Sequence, residues 1–161
     1  MSELTRSSRR VRDALVALGL PADIHRLADS TRTAPEAAAA VGCELGAIVK
    51  SLVFRGAESG DAVLVLVSGD NRAVESRVAE ELGEPVGRAD ADFVRAATGY
   101  AIGGVPPVGH PEPVRALFDE DLLRFDEVWA AAGTPRAVFP VSPRALAQAT
   151  GGPVVAIAQR I

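Results

Sequence analysis

Between Tyr100 and Pro113 the chain carries Gly103, Gly104, Pro106, Pro107, Gly109, Pro111 and Pro113. Proline removes a backbone donor and locks φ, and glycine withholds the side chain that would hold a helix or strand together, so this stretch is not regular structure. Helices and strands have to be found before it and after it. Upstream, Val11, Ala14, Leu15 and Leu18 recur at three and four residues, which predicts an amphipathic helix ending at Gly19 and Pro21. A short strand is expected over Asp23 to Leu27. Thr33-Ala34-Pro35-Glu36 has the capping-box spacing with proline in the first turn, so a helix should run through the alanines to Val41 and stop at Gly42. The apolar runs Ile48 to Phe54 and Ala62 to Ser68 read as a hairpin joined by the polar loop Arg55 to Asp61. Val74, Val78 and Leu82 predict a helix over Asn71 to Leu82, and Asp90 caps another through Ala97.

Downstream, strands are expected at Ala116 to Phe118, Glu127 to Ala130, Arg136 to Val141 and Val154 to Ala158. Ser142-Pro143 opens a last helix that Gly151 closes. The two element types interleave without strict strand-helix-strand alternation, and this favours an α+β fold with a mixed, partly closed, barrel-like sheet surrounded by helices. With 161 residues, 48% of them hydrophobic, and no internal repeat or linker, the expectation is one domain over 1–161.

Composition removes several function classes. A formal charge of −4 argues against broad binding to phosphate backbones. The one basic cluster, Arg6, Arg9, Arg10 and Arg12, is opposed by Glu3 and Asp13 and reads as a solvated helix face. No apolar run is long enough for a membrane span, and the first twenty residues lack a signal-peptide core, so a cytoplasmic protein without membrane association is expected. Cys43 is the only cysteine and reads as a small buried filler. No metal-ligand spacing, phosphate-binding loop, dinucleotide fingerprint or G-x-S-x-G elbow is present, and Ser68-Gly69-Asp70 is no substitute for the last. Neither a metal nor a cofactor is expected.

The chemistry that remains centres on a lysine and the loop. Of 17 basic residues 16 are arginine, and the lone lysine is Lys50, inside the apolar run Ile48 to Phe54. A position that keeps lysine where arginine is used everywhere else is a candidate for what only an ammonium offers: a compact charge, three rotatable donors and a shiftable pKa. Alternation places Lys50 on the strand face of Leu52 and Phe54, so the alternative is a strand-edge lysine that snorkels to water. The segment Ala101 to His110, with adjacent glycines and rigid prolines, can bring backbone N–H and C=O groups close to a ligand, as an oxyanion site does. Taken by itself it reads first as a tight structural loop. His110 closes that loop, where it can reach a substrate but reads first as a hydrogen-bonded turn residue, while His25 reads as a polar position on the outer face of its strand.

The lysine in GAIVKSLVF, the loop ATGYAIGGVPPVGH about fifty residues later, and the order of segments from about Val11 to Ala158 resemble the YbaK and prolyl-tRNA synthetase-associated domain family. The resemblance implies a YbaK-like α+β fold and an aminoacyl-tRNA deacylase acting in trans. Its substrate would be a mischarged tRNA, in the first instance tRNA(Pro) bearing a small amino acid such as alanine, serine, cysteine or 2-aminobutyrate. It further implies that Lys50 holds the 3′-terminal nucleotide, that the Gly103 backbone positions the attacking water or the carbonyl, and that Ser51 is the small hydroxyl residue beside the lysine. Gly104, Val105, Pro106 and His110 complete the loop side of the substrate site. At the later strand, Ala130 to Thr134 replaces a serine followed by glycines, which places Ala131 and Thr134 beside the amino acid, and Leu27 stands where relatives put an aromatic residue. Prolyl-tRNA synthetase or an elongation factor would present the substrate to so acidic a chain. Two rivals stand beside this reading. One is a non-catalytic module of the same family that binds tRNA or a synthetase, and the other is an interaction domain using its alanine-rich faces.

Overall fold

The computed structural model describes residues 4–31 and 33–161. Glu3, read above as opposing the arginine cluster, lies outside the described residues. The first helix, α1 (Arg6–Ala17), is capped by the Thr5 side chain, which accepts from the Ser8 N–H at 3.0 Å. It buries Val11 and Leu15, the apolar positions that predict it. The expected strand after it shrinks to β1 (His25–Arg26). Helix α2 (Ala34–Val41) begins at the Thr33 cap, whose Oγ1 accepts from the Glu36 N–H at 3.2 Å, and it stops at Gly42. A 3-10 turn, Leu45–Ala47, leads into the hairpin of β2 (Val49–Gly56) and β3 (Ala62–Ser68).

The next segment departs from its sequence pattern. Asn71–Ala73 is not the first turn of a helix but a strand, β4, and α3 (Glu75–Leu82) begins only after it. Asn71 is wholly buried and its amide is held by carboxylates, an anchor that period counting does not see. After β5 (Val86–Arg88), α4 (Ala91–Thr98) starts at the Asp90 cap, and no regular element follows until β6 (Arg115–Asp119). A second 3-10 turn, Glu120–Arg124, precedes β7 (Val128–Ala131) and β8 (Ala137–Val141); α5 (Pro143–Thr150) runs from the Ser142 cap to Gly151. The single strand expected over Val154 to Ala158 is two, β9 (Val154–Val155) and β10 (Ala158–Arg160), and they belong to different sheets.

Five strands form a mixed sheet in the order β5-β2-β3-β6-β9, antiparallel around β2 and parallel from β3 to β9. A second sheet has the order β1-β8-β7, and β4 pairs with β10. The first two sheets touch through a parallel bridge between Ile48 and Trp129 without closing a barrel. The fold is therefore α+β with a mixed sheet and helices, as expected.

The central strand β3 is buried on both faces, which is why its sequence is a continuous apolar run rather than an alternating one. Leu64 and Leu66 join Phe118, Val128 and Phe139 in the larger core, against which α1 packs through Val11 and Leu15. Val63, Val65 and Val67 face the opposite way, towards Val78 of α3 and Ile157. The irregular loop after α4 is itself core: Tyr100, Val105 and Val108 are buried, and Tyr100 Oη donates to the Gly109 carbonyl at 2.7 Å. Backbone groups in such a loop have to find local partners, and this bond is one of them. Among the described residues no helix is long and apolar enough to cross a membrane. Leu66→Ala is expected to lower stability by about 2–5 kcal/mol. Val16→Ala, on the exposed face of α1, should change it by less than about 0.5 kcal/mol. Urea denaturation midpoints of the two variants check both.

Candidate active site

Strand β2 pairs with β3 from Val49 to Arg55. Its other edge is paired only at the ends, with β5 at Phe54 to Gly56 and with Trp129 through the Ile48 bridge. On this second side the Val53 carbonyl accepts from Ala89 N at 3.4 Å. Main-chain groups alternate between strand edges, so those of Val49 and Ser51 turn to the same side as those of Val53. Along this gap lies a cleft of about 350 Å³, walled by Ala34 and Ala37 of α2, Trp129, Ala131 and Val138 of the second sheet, and Ile102, Gly103 and Val105 of the loop. That volume is at the small end of the range for ligand pockets, about 300–1,000 Å³.

Within the lining, Lys50 and Arg88 are the charged side chains among the described residues, and both are cations. The Lys50 ammonium donates to the main-chain carbonyl of Asn71 and is half-buried. Burial pulls it below the ordinary lysine value, and the nearby carboxylates of Asp70 and Asp119 pull the other way. An ammonium has three donors, and Asn71 takes one of them. Beside Lys50, Ser51 lines the same cleft, and its buried hydroxyl has no hydrogen-bond partner among the described residues. A buried hydroxyl left unmatched costs about 1–3 kcal/mol, which a ligand able to bond it offsets.

Across the cleft, the loop turns sharply at Ala101 to Gly104, where Gly104 N donates to the Ala101 carbonyl at 3.0 Å. Gly103 occupies the third position with φ +85, a conformation that glycine adopts without strain. Gly104 serves packing: a Cβ there would sit 2.7 Å from Thr134 Cα, so the loop backbone lies directly on the turn between β7 and β8.

Of the residues singled out from sequence, Lys50, Ser51, Gly103, Val105 and Ala131 line the cleft, whereas Leu27, Gly104, Pro106, His110 and Thr134 do not. Leu27 packs behind the wall with Ile48, Trp129 and Val138. His110 turns into its own loop: Nε2 donates to the Pro106 carbonyl at 2.8 Å, and its ring meets Tyr100 edge-on at 6.1 Å. Much of the arginine cluster also serves the fold. Arg10 donates to the Gly99 carbonyl at 2.9 Å and lies 4.5 Å over the Tyr100 ring, and Arg9 donates to the Leu4 carbonyl at 2.8 Å. His25 is exposed on β1, as expected, with its ring 4.9 Å from Trp129. Cys43 is partly rather than fully buried, against the cluster around Trp129. Sequence reasoning missed Trp129, Arg88 and the α2 alanines as cleft residues. Trp129 is the only tryptophan and sits at the start of an alanine run, the one signal that was available.

The structure defines an α+β fold whose cleft opens along an incompletely paired strand edge. The family model of the aminoacyl-tRNA editing domain matches residues 28–149. The chain belongs to that family, in agreement with the resemblance carried by the lysine strand and the Tyr100 loop. A solved structure of a proposed trans-editing enzyme for prolyl tRNA synthetase is 51% identical, with 98% of this chain and 99% of that one covered and a TM-score of 0.91. The hypothetical protein APE2540 is 34% identical over 93% of this chain and 99% of its own, with a TM-score of 0.84. The uncharacterised protein YwhH of Bacillus subtilis (strain 168) is 29% identical over 126 residues, 78% of this chain and 80% of its own.

The internal position of His110 has a consequence in stability. Burial holds its imidazole below the ordinary value of 6.5, opposed by the hydrogen bond to Pro106. The unfolded chain therefore takes up this proton at a higher pH than the folded one. The stability tied to it is intact above the unfolded value and is lost as the pH falls below it. Between about pH 7.5 and 5 the denaturation midpoint of the native protein should fall more than that of His110→Gln. Parallel falls would show that His110 is not held in its neutral form.

Proposed function

We propose that this protein is an aminoacyl-tRNA deacylase that acts in trans, hydrolysing the ester of a mischarged tRNA, with tRNA(Pro) bearing a small amino acid as its substrate. The observation that carries the reading is the composition of the cleft: an ammonium, an unpartnered hydroxyl and a sharply turned glycine backbone around a small, otherwise apolar space. Membership of the editing family supports the reaction class. The neighbour described as a proposed trans-editing enzyme for prolyl tRNA synthetase supports the choice of tRNA and of that synthetase as a partner.

The reaction needs little from side chains. Water adds to the ester carbonyl, and the tetrahedral intermediate collapses. The ribose oxygen then leaves with the proton that the water gave up. An aminoacyl ester is already activated, so positioning the water and stabilising the developing oxyanion supply most of the acceleration. Neither a carboxylate nor a histidine lines the cleft among the described residues, which fits a mechanism without a strong side-chain base. In this scheme Lys50 offers its free donors to the 3′-terminal nucleotide, Ser51 bonds the same end of the substrate, and the Gly103 backbone faces the water or the carbonyl. Arg88 adds a second positive charge on β5 for the anionic RNA backbone. Ala37, Ala131, Pro135 and Trp129 leave room for a short, uncharged side chain.

Release of amino acid from Ala-tRNA(Pro) and Ser-tRNA(Pro) tests this directly, with the native protein and Lys50→Ala at equal folded concentration. The native protein should release amino acid, and the substitution should slow it about 100-fold or more, the size of effect that misplacing the reacting group brings. Activity confined to large amino acids would remove the small-residue assignment. Silence across a panel that includes cysteine and 2-aminobutyrate would leave a non-catalytic binding module.

A further inference from the structure

Lys50 does not enter the cleft as a free side chain, because its ammonium is tied to the carbonyl of Asn71. Asn71 is wholly buried, and its side-chain nitrogen donates to Asp119 Oδ2 at 2.9 Å and to Asp121 Oδ2 at 2.7 Å. Two carboxylates on one end of the amide fix that end as the nitrogen, since an oxygen there would face two acceptors. Asp119 is 1% exposed and also accepts from the backbone N–H groups of Ser68 and Asp121, each at 3.0 Å. Asp70, the other carboxylate acting on Lys50, is matched by Arg124 and Arg160, each at 2.8 Å. Asp119 has no such ion pair among the described residues, and Lys50 is a cation that feels its charge. A buried carboxylate persists only where charge and hydrogen bonds compensate it.

We propose that Asn71 and Asp119 form the positioning device of Lys50: the buried carboxylate grips the Asn71 amide, the Asn71 carbonyl accepts one hydrogen bond from the ammonium, and the other two donors are thereby aimed at the substrate. This rests on Lys50 acting in the cleft as proposed above. Asn71 and Asp119 are positioning residues, because neither lines the cleft. Asp70 and, after it, Asp119 supply the negative charge that favours the protonated form of the half-buried ammonium against its burial; Arg124 and Arg160 are paired with Asp70, and Asp121 is bound to the Asn71 amide. Asn71 carries both the strand pairing of β4 to β10 and the tether to Lys50, which accounts for a buried polar residue at a position whose apolar period reads as helix.

The chain has one lysine, so lysine labelled with ¹³C at Cε gives a single side-chain signal that reports Lys50 alone. Its pH titration in the folded native protein is compared with Asp119→Asn and Asp119→Glu. Removing the charge should move the titration to lower pH and lower kcat more than it changes KM. Asp119→Glu, which keeps the charge, should restore most of both. A folded Asp119→Asn whose lysine titrates as in the native protein overturns the proposal. If Asp119→Asn does not fold, Asn71→Ala carries the test, because it leaves the carboxylate and removes only the amide grip. Hydrogen exchange of the ammonium should then be at least about tenfold faster, with a lower kcat. Unchanged exchange and kcat would overturn the proposal. The lysine signal is read without tRNA, so a displaced titration in a protein that cleaves no ester refutes the deacylase reading alone. An active protein with an undisturbed titration refutes the positioning device alone.

Discussion

The structure depends on how strand β2 is paired. One edge is joined to β3 from Val49 to Arg55, which fixes the strand within the main sheet and sets which side chains face each core. The other edge is held at Ile48 and from Val53 onward, so the sheet is fastened at both ends of a gap and open between them. A fully paired strand would have no accessible backbone there, and a free edge would invite pairing with another chain. Here the gap is flanked by α2, the second sheet and the glycine loop, which turn an unpaired edge into the floor of a cleft.

The walls of that cleft are held by separate parts of the fold, and each is fixed by bonds that lie outside the cleft. The loop stands on buried Tyr100, whose hydroxyl reaches the Gly109 carbonyl and whose ring carries Arg10. The turn between β7 and β8 is held against α1, where Ser8 Oγ donates to the Ala132 carbonyl at 2.7 Å. Lysine at position 50 is placed by the buried polar cluster at the end of β3 and β6 rather than by packing. In apolar surroundings a donor held this way acts more strongly than in water, and it needs little rearrangement when charge develops on a substrate.

Much of this was legible in the chain. The caps at Thr33, Asp90 and Ser142 each mark a helix start because the signal is local and chemical. Lys50 stood out because a charge inside an apolar strand needs a reason, and the Gly and Pro residues after Tyr100 forbade regular structure. What was not legible depends on partners distant in sequence. Asn71 to Ala73 follows a helical period but pairs with Ala158 to Arg160, more than eighty residues away. Val154 to Ala158 reads as one strand, yet Val155 pairs with Asp119 and Ala158 with Ala73, so the chain changes sheets between them. Trp129 reaches the cleft only because the Ile48 bridge brings the second sheet to β2, and His110 turns away from it because Pro106 offers a nearer acceptor.

The claim that joins these parts is that the open edge of β2, with Lys50 beside it, is where the aminoacyl end of the substrate sits. The most direct measurement is titration of the lysine-labelled protein with an adenosine that carries alanine through a stable 3′-amide, which resembles the charged end but cannot be hydrolysed. The account predicts that the single lysine signal moves and saturates with the ligand, together with backbone signals of Ser51 and Gly103. Saturable binding that leaves all three unmoved would place the ligand elsewhere on the protein and contradict the account.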